Sequence, residues 1–155
     1  MWIPPEVRDP ILLHHPTRKS VGYFGAVRLR DGKLVTREER DRFDGDSCWT
    51  FLKQLRQASA HAGRRVVVIV DNASYHHARL HRAWRADAHA AFDLFYLPAY
   101  SPDLHPCERV WKLTRRLCTH HRYFPQLTTL TTAVATQFAA WAQPNDTLRR
   151  LCAIT

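Results

Sequence analysis

Two rhythms of apolar residues run along this chain. From Val66 to Val70 five β-branched residues stand side by side, and Phe92 to Leu97 repeats the theme in "FDLFYLP". Short unbroken apolar runs of this kind read as strands buried on both faces. Elsewhere the spacing is three and four. Trp49, Phe51, Leu52, Leu55 and Ala58 predict an amphipathic helix from Ser47 to about His61, with Asp46 or Ser47 as its N-cap and Gly63 beyond its end. Leu80, Ala83, Trp84 and Ala88 predict a second from about His77 to Ala90, with Arg79, Arg82 and Arg85 on its far side. Cys107, Val110, Trp111, Thr114 and Cys118 predict a third, opened by Pro106 and running to about His120. Leu127, Leu130, Val134, Phe138 and Trp141 predict a fourth over about Gln126 to Ala142.

Upstream, "SVGYFGAVRLRDGKLVT" from Ser20 alternates as a hairpin does, with Asp31-Gly32 at its turn. Residues 1–19 hold Pro4, Pro5, Pro10 and Pro16 and read as irregular. "REERDRFDGD" reads as a loop. Two buried strands flanking a helix make a βαβ unit with a parallel pair, and the hairpin would extend the same sheet in antiparallel fashion. The expected class is α/β, a mixed sheet flanked by helices.

Charge narrows the partners. Lys plus Arg number 23 against 14 Asp plus Glu in 155 residues, a net +9. That surplus favours a polyanion, because neutralised phosphates release counterions. Cys48, Cys107, Cys118 and Cys152 form no C-x-x-C pair. They read as reduced core thiols, against an alternative in which Cys and His build a zinc-stabilised domain. No apolar run approaches the ~20 residues of a membrane helix, and "MWIPPEVRDP" lacks the features of a signal peptide. The expectation is a cytoplasmic protein without a membrane partner.

Two carboxylates occupy related places. Asp71 ends the first buried strand, and Glu108 lies in the first turn of the helix that follows the second. Parallel neighbours put both strand ends on one edge, where converging oxygen donors suit Mg²⁺ or Mn²⁺. Each also has a plainer reading. Asp71 with Asn72 suits a turn, and a first-turn glutamate is favoured by the helix dipole.

The motifs "VVVIVDNASYHH" and "FYLPAYSPDLHPCERVWKLTRR" resemble the catalytic core of DDE-type transposases, the mariner superfamily and related bacterial insertion-sequence enzymes. Asp71 and His76 match that family's Asp-Asn motif. Leu97, Pro98, Tyr100, Ser101, Pro102, Leu104, Pro106, Glu108 and Trp111 match the stretch carrying its third acid, and 36 residues separate Asp71 from Glu108. The resemblance extends from about Trp2 to Tyr123. It implies an RNase H-like core over residues 1–123, leaving residues 124–155 as a C-terminal helical extension packed on it.

It also implies a two-metal site, Mg²⁺ or Mn²⁺, with Asp71 and Glu108 as catalytic ligands. Lys112, Arg115 and Arg116 would hold DNA phosphates, and His76 would be a supporting or turn residue. DNA, as transposon ends and a TA target, would be the partner, beside a homo-oligomer or an upstream transposase fragment, with the chain acting at the nucleoid.

The family uses three carboxylates, the first ending the central strand of the sheet, upstream of the position matched by Trp2. Asp9, Asp31, Asp41, Asp44 and Asp46 end no predicted buried strand, so none is assigned. The family's N-terminal helix-turn-helix region is likewise expected upstream. The chain therefore reads as the C-terminal portion of a transposase for metal-dependent strand cleavage and transfer, and by itself it should not nick DNA. The alternative is a non-catalytic DNA-binding or interaction fragment that modulates a full-length relative.

Overall fold

The structure, a computed structural model, describes residues 20–59, 64–98 and 105–153. Strand β1 (Gly22–Val27) pairs antiparallel with β2 (Leu34–Glu39), Val27 facing Leu34 and Gly22 facing Glu39. The hairpin is the expected one, but β2 runs further, into the charged stretch read as loop. Its connection is also longer than a tight two-residue turn. Arg28 holds the Asp31 carboxylate, the Gly32 N–H donates to the Arg28 carbonyl at 2.8 Å, and Gly32 takes a φ of 74°.

Helix α1 (Gly45–Ser59) begins one residue before the expected N-cap. Its cap is reciprocal: the Ser47 N–H donates to the Asp44 carboxylate at 3.0 Å, and the Asp44 N–H donates to the Ser47 hydroxyl at 2.9 Å. Strands β3 (Val66–Val70) and β4 (Phe92–Tyr96) run parallel in the register Val66–Phe92 to Val70–Tyr96.

The helix expected over His77–Ala90 shortens to α2 (Arg82–Ala88) behind two single turns. Side chains occupy the carbonyls a longer helix would need. His81 contacts the Tyr75 carbonyl at 2.9 Å, and the Tyr96 hydroxyl donates to the His76 carbonyl at 2.9 Å. Local side-chain bonds of this type compete with helix formation.

Helix α3 (Pro106–Thr114) continues as one wide turn over Arg115–Thr119, closed by the His120 N–H on the Arg115 carbonyl. Then come α4 (Leu127–Trp141) and α5 (Asp146–Leu151), the last unforeseen. No helix among the described residues is long and apolar enough to cross a membrane.

The hairpin alternates its side chains between two cores. Tyr23, Val27 and Leu34 join Val110, Cys118, Val134, Phe138, Trp141, Leu148 and Cys152. Phe24, Ala26 and Val35 join Cys48, Phe51, Leu52, Leu55, Ala88 and Phe92. The hairpin is thus covered by α1 on one face and by the α3–α5 helices on the other, with the β3–β4 pair beyond the edge of β1. This period-two division is what a strand with both faces covered requires.

Two expectations change. The hairpin and the parallel pair are separate two-stranded sheets, because β1 and β3 face each other across a gap instead of hydrogen-bonding. And β3–β4 buries one face only: Val66, Val68 and Leu94 pack inward, while Val67 and Phe95 are 54% and 61% exposed.

The turn of the hairpin is locked to α5. The Asn145 N–H donates to the Asp31 carbonyl at 2.8 Å, and the Asn145 side chain donates to the Gly32 carbonyl while capping Leu148. A Cβ on Gly32 would stand 2.1 Å from the Asn145 carbonyl oxygen and 2.5 Å from the Arg149 nitrogen. Gly32→Ala therefore combines left-handed strain with a backbone clash and should lose at least about 2 kcal/mol in urea unfolding. An unchanged midpoint would show that this lock adds nothing to stability.

Candidate functional site

Asp71 follows the last residue of β3, at one end of the gap between β1 and β3. Its side chain is 54% exposed and accepts the Ala73 N–H at 3.0 Å, the short polar turn that its type favours. Asn72 anchors the same turn by donating to the Leu97 carbonyl beyond β4, and His77 approaches the Asn72 side chain while stacking on Tyr96. The strand ends are thus tied together by the residues that follow them.

Behind Asp71 stands His76, its Nε2 3.4 Å from the carboxylate Oδ1 and its Nδ1 3.4 Å from the Cys48 sulfur. Cysteine, histidine and aspartate in that order resemble a nucleophilic triad. The thiol, however, is fully buried, and burial pushes it up to about 11, so it is not a thiolate near neutrality. It serves instead as a weak donor to Nδ1, which leaves the Nε2 proton facing Asp71. No signal in the sequence links Cys48 to this turn, 28 residues away. Next to it, burial, with Asp71 and Cys48 adding to it, pushes the Tyr75 hydroxyl up to about 12.

Burial holds the His76 imidazole down at about 4, against the opposing pull of Asp71. In the unfolded chain it titrates near 6.5, so between about pH 6.5 and pH 4 the unfolded state binds more protons. Stability should fall as pH drops through that window, by up to about 3 kcal/mol, and level off below it. Urea midpoints across pH 4–7 measure this, and His76→Gln should flatten the slope. Equal slopes for both proteins would assign the loss elsewhere.

Glu108 sits half-buried in the first turn of α3, which Pro106 opens. This helix is pressed onto the hairpin. The Cys107 thiol donates to the Gly25 carbonyl at 3.5 Å, and a Cβ on Gly25 would lie 2.5 Å from the Trp111 ring. Burial pushes the Cys107 thiol up to about 12, against a backbone hydrogen bond at Val27 that pulls it down. Asp71 lines the gap from the end of β3, and Glu108 follows Cys107, which lines it from α3.

Their chemistry suits a hard cation. One or two carboxylates with retained waters and substrate oxygens are the usual hold on Mg²⁺. Among the described residues no group of three or more His, Cys, Asp or Glu side chains converges. A tetrahedral zinc site is not built there. The four cysteines are buried and unbridged, in the cores.

Lys112, Arg115 and Arg116 are exposed. Spaced four, seven and eight residues from Glu108, they continue its stripe along α3 and the turn after it. The unassigned aspartates have local roles. Asp31 pairs with Arg28 at 2.5 Å and Asp44 with Arg42 at 2.6 Å, while Asp41 and Asp46 lie in exposed or capping positions. Asp9 lies outside the described residues, as do Tyr100, Ser101, Pro102 and Leu104.

The profile of the DDE superfamily endonucleases matches residues 1–131. Among solved structures, the crystal structure of the Mos1 strand transfer complex superposes with a TM-score of 0.67 at 18% identity. The superposition covers 98% of this chain and 44% of that one, so this chain spans less than half of that chain's length. No curated protein matches.

Proposed function

The chain belongs to the DDE superfamily endonucleases, and on that premise we propose that it carries part of a transposase site acting on DNA phosphodiesters. The observation that supports this best is the placing of Asp71 and Glu108. Asp71 follows the end of β3 beside the gap, and Glu108 follows Cys107, which lines the same gap from the proline-opened start of α3.

In this reading Asp71 and Glu108 present hard oxygens to a divalent metal, Mg²⁺ or Mn²⁺. When bound, the metal polarises a phosphodiester oxygen and makes water a stronger nucleophile. His76, kept neutral by burial, orients Asp71 without adding charge. Lys112, Arg115 and Arg116 hold the DNA backbone beside Glu108, with the net charge of +9 behind them. The transposon ends and target of a mobile element are the proposed substrates.

The test joins metal binding to cleavage of supercoiled plasmid. The chain should bind Mn²⁺, and the double variant Asp71→Asn, Glu108→Gln should not. Metal-dependent nicking that vanishes in Asp71→Asn would carry the reading outright. With no third carboxylate converging on these two among the described residues, the expected result for this chain alone is metal and DNA binding without nicking. Mn²⁺ binding indifferent to both substitutions would overturn the site.

The exposed basic stripe also supports a second reading, a DNA-binding fragment that modulates a complete relative. That reading requires DNA binding to survive both carboxylate substitutions while Mn²⁺ binding is absent from the start.

A further inference from the structure

From Arg109 to Asn145 the chain holds no carboxylate. The same stretch carries Lys112, Arg115, Arg116 and Arg122, with His120 and His121 ahead of the last. All of these are exposed, and none forms an ion pair among the described residues. Helix α4, which packs against the wide turn Arg115–Thr119, has no titratable side chain to offer. The groups around the two histidines are therefore the four cations and the buried thiol of Cys118, which burial pushes up. An anion for this surface has to come from outside the stretch.

The backbone aims the histidines at the end of the basic stripe. The His120 N–H donates five residues back, to the Arg115 carbonyl at 2.8 Å, so His120 follows Arg115 on the same side of the helix. Wide turns of this kind are rare and are frequent at functional sites. The chain then reverses over Thr119–Arg122, where the Arg122 N–H donates to the Thr119 carbonyl at 3.3 Å.

His120 has φ −67° and ψ 130°, and His121 has φ 56°. This is the type II pattern, whose third residue is ordinarily glycine or asparagine. A histidine there holds a left-handed backbone against the clash of its own β-carbon. The two imidazoles stack with centroids 4.1 Å apart, exposed beyond Arg116. Strain kept at an exposed residue is not a packing requirement, and strained residues cluster where a ligand is met.

We propose that the turn Thr119–Arg122 is a contact for the DNA backbone, in which His120 and His121 bind phosphate as imidazolium groups. It rests on the DNA-binding reading of Lys112, Arg115 and Arg116, and it adds a dependence on pH that those residues lack. Each imidazole that takes up a proton adds one cation to the stripe. Stacked imidazoles repel when both are charged, so the second proton requires the phosphate beside it.

The probe is a fluorescent random-sequence DNA duplex, titrated with the full chain in metal-free buffer. Affinity is followed against salt at about pH 8, where histidine is neutral, and at about pH 6. Two added phosphate contacts should steepen the slope of log affinity against log salt by up to about 1.8 at the lower pH. His120→Gln, His121→Asn removes both charges, and asparagine tolerates the left-handed turn. That variant should bind like the unaltered chain at the higher pH and lose most of the steepening at the lower. His121→Gly should unfold at no lower urea concentration, since glycine relieves the turn, while losing part of the steepening.

No steepening in the unaltered chain, or equal steepening in the double variant, would overturn the proposal. So would a loss of affinity that is the same at both pH values, which would make the two side chains neutral packing. A lower urea midpoint for His121→Gly would also overturn it, by giving the strained residue a structural role. The slope of Lys112→Ala, Arg115→Ala, Arg116→Ala at the higher pH tests the stripe separately. If that slope is unmoved, the stripe does not face DNA. If it moves while the histidine double variant keeps its pH response, only the turn is ruled out.

Discussion

Asp71→Asn should cost the chain most of its Mn²⁺ affinity, by about 100-fold, and leave its fold untouched. The two halves of that expectation have separate physical grounds. Asparagine keeps an acceptor oxygen, so the bond from the Ala73 N–H and the turn after β3 survive. The carboxylate is also half-exposed and belongs to no core cluster, so no buried charge is stranded by its loss. What disappears is the negative charge, one of the two hard anionic donors proposed there. Substituting even a residue that merely supports a metal ligand costs about 10–100-fold in affinity, and a ligand itself should reach the top of that range or beyond. Glu108→Gln should act in the same direction. Electron paramagnetic resonance of free Mn²⁺ measures both variants. If Glu108→Gln alone is silent, Glu108 is a first-turn glutamate favoured by the helix dipole, and Asp71 binds without it.

The part of this site visible in the sequence is the part carried by local rules. A β-branched run that ends in Asp-Asn fixes a strand and its turn, and Pro106 fixes where α3 begins, so the places of Asp71 and Glu108 were readable. So were the hairpin around Asp31-Gly32 and the periodic helices α1 and α4. The failures have physical causes of a different range. Helix α5 is six residues long, too short for a hydrophobic period, although Asn145 with Asp146 behind it is a readable cap signal. The length of α2 depends on Tyr96 and Arg85 reaching the His76 carbonyl, and that comes from tertiary structure. Cys48 meets His76 only because α1 packs beside the turn after β3. The run Val66–Val70 implies a covered strand, yet among the described residues Val67 on one face is exposed and one edge has no strand partner. Composition records what a strand is suited to meet, and the described residues supply only some of it.

The second large effect concerns DNA. Replacing Lys112, Arg115 and Arg116 together by alanine should weaken DNA binding and, more tellingly, flatten its salt dependence. Each phosphate neutralised contributes about −0.9 to the slope of log affinity against log salt. Three lost contacts should make the slope shallower by about 2.7, so the fall in affinity between 50 and 200 mM salt shrinks by about 40-fold. The stripe is suited to this. All three side chains are exposed, and none forms an ion pair among the described residues. Their removal should therefore barely change stability, since exposed charges contribute little to it. Competing phosphate contacts lie elsewhere on this basic chain, Arg79 and Arg82 among the exposed ones. The control is Arg79→Ala, Arg82→Ala, which should shift the slope by well under the about 1.8 that two lost phosphate contacts would give. A slope unmoved by the triple variant would mean that α3 does not face DNA. The carboxylate of Glu108 would then lie away from the backbone it is proposed to act on, and the reading of the site would have to rest on Asp71 alone.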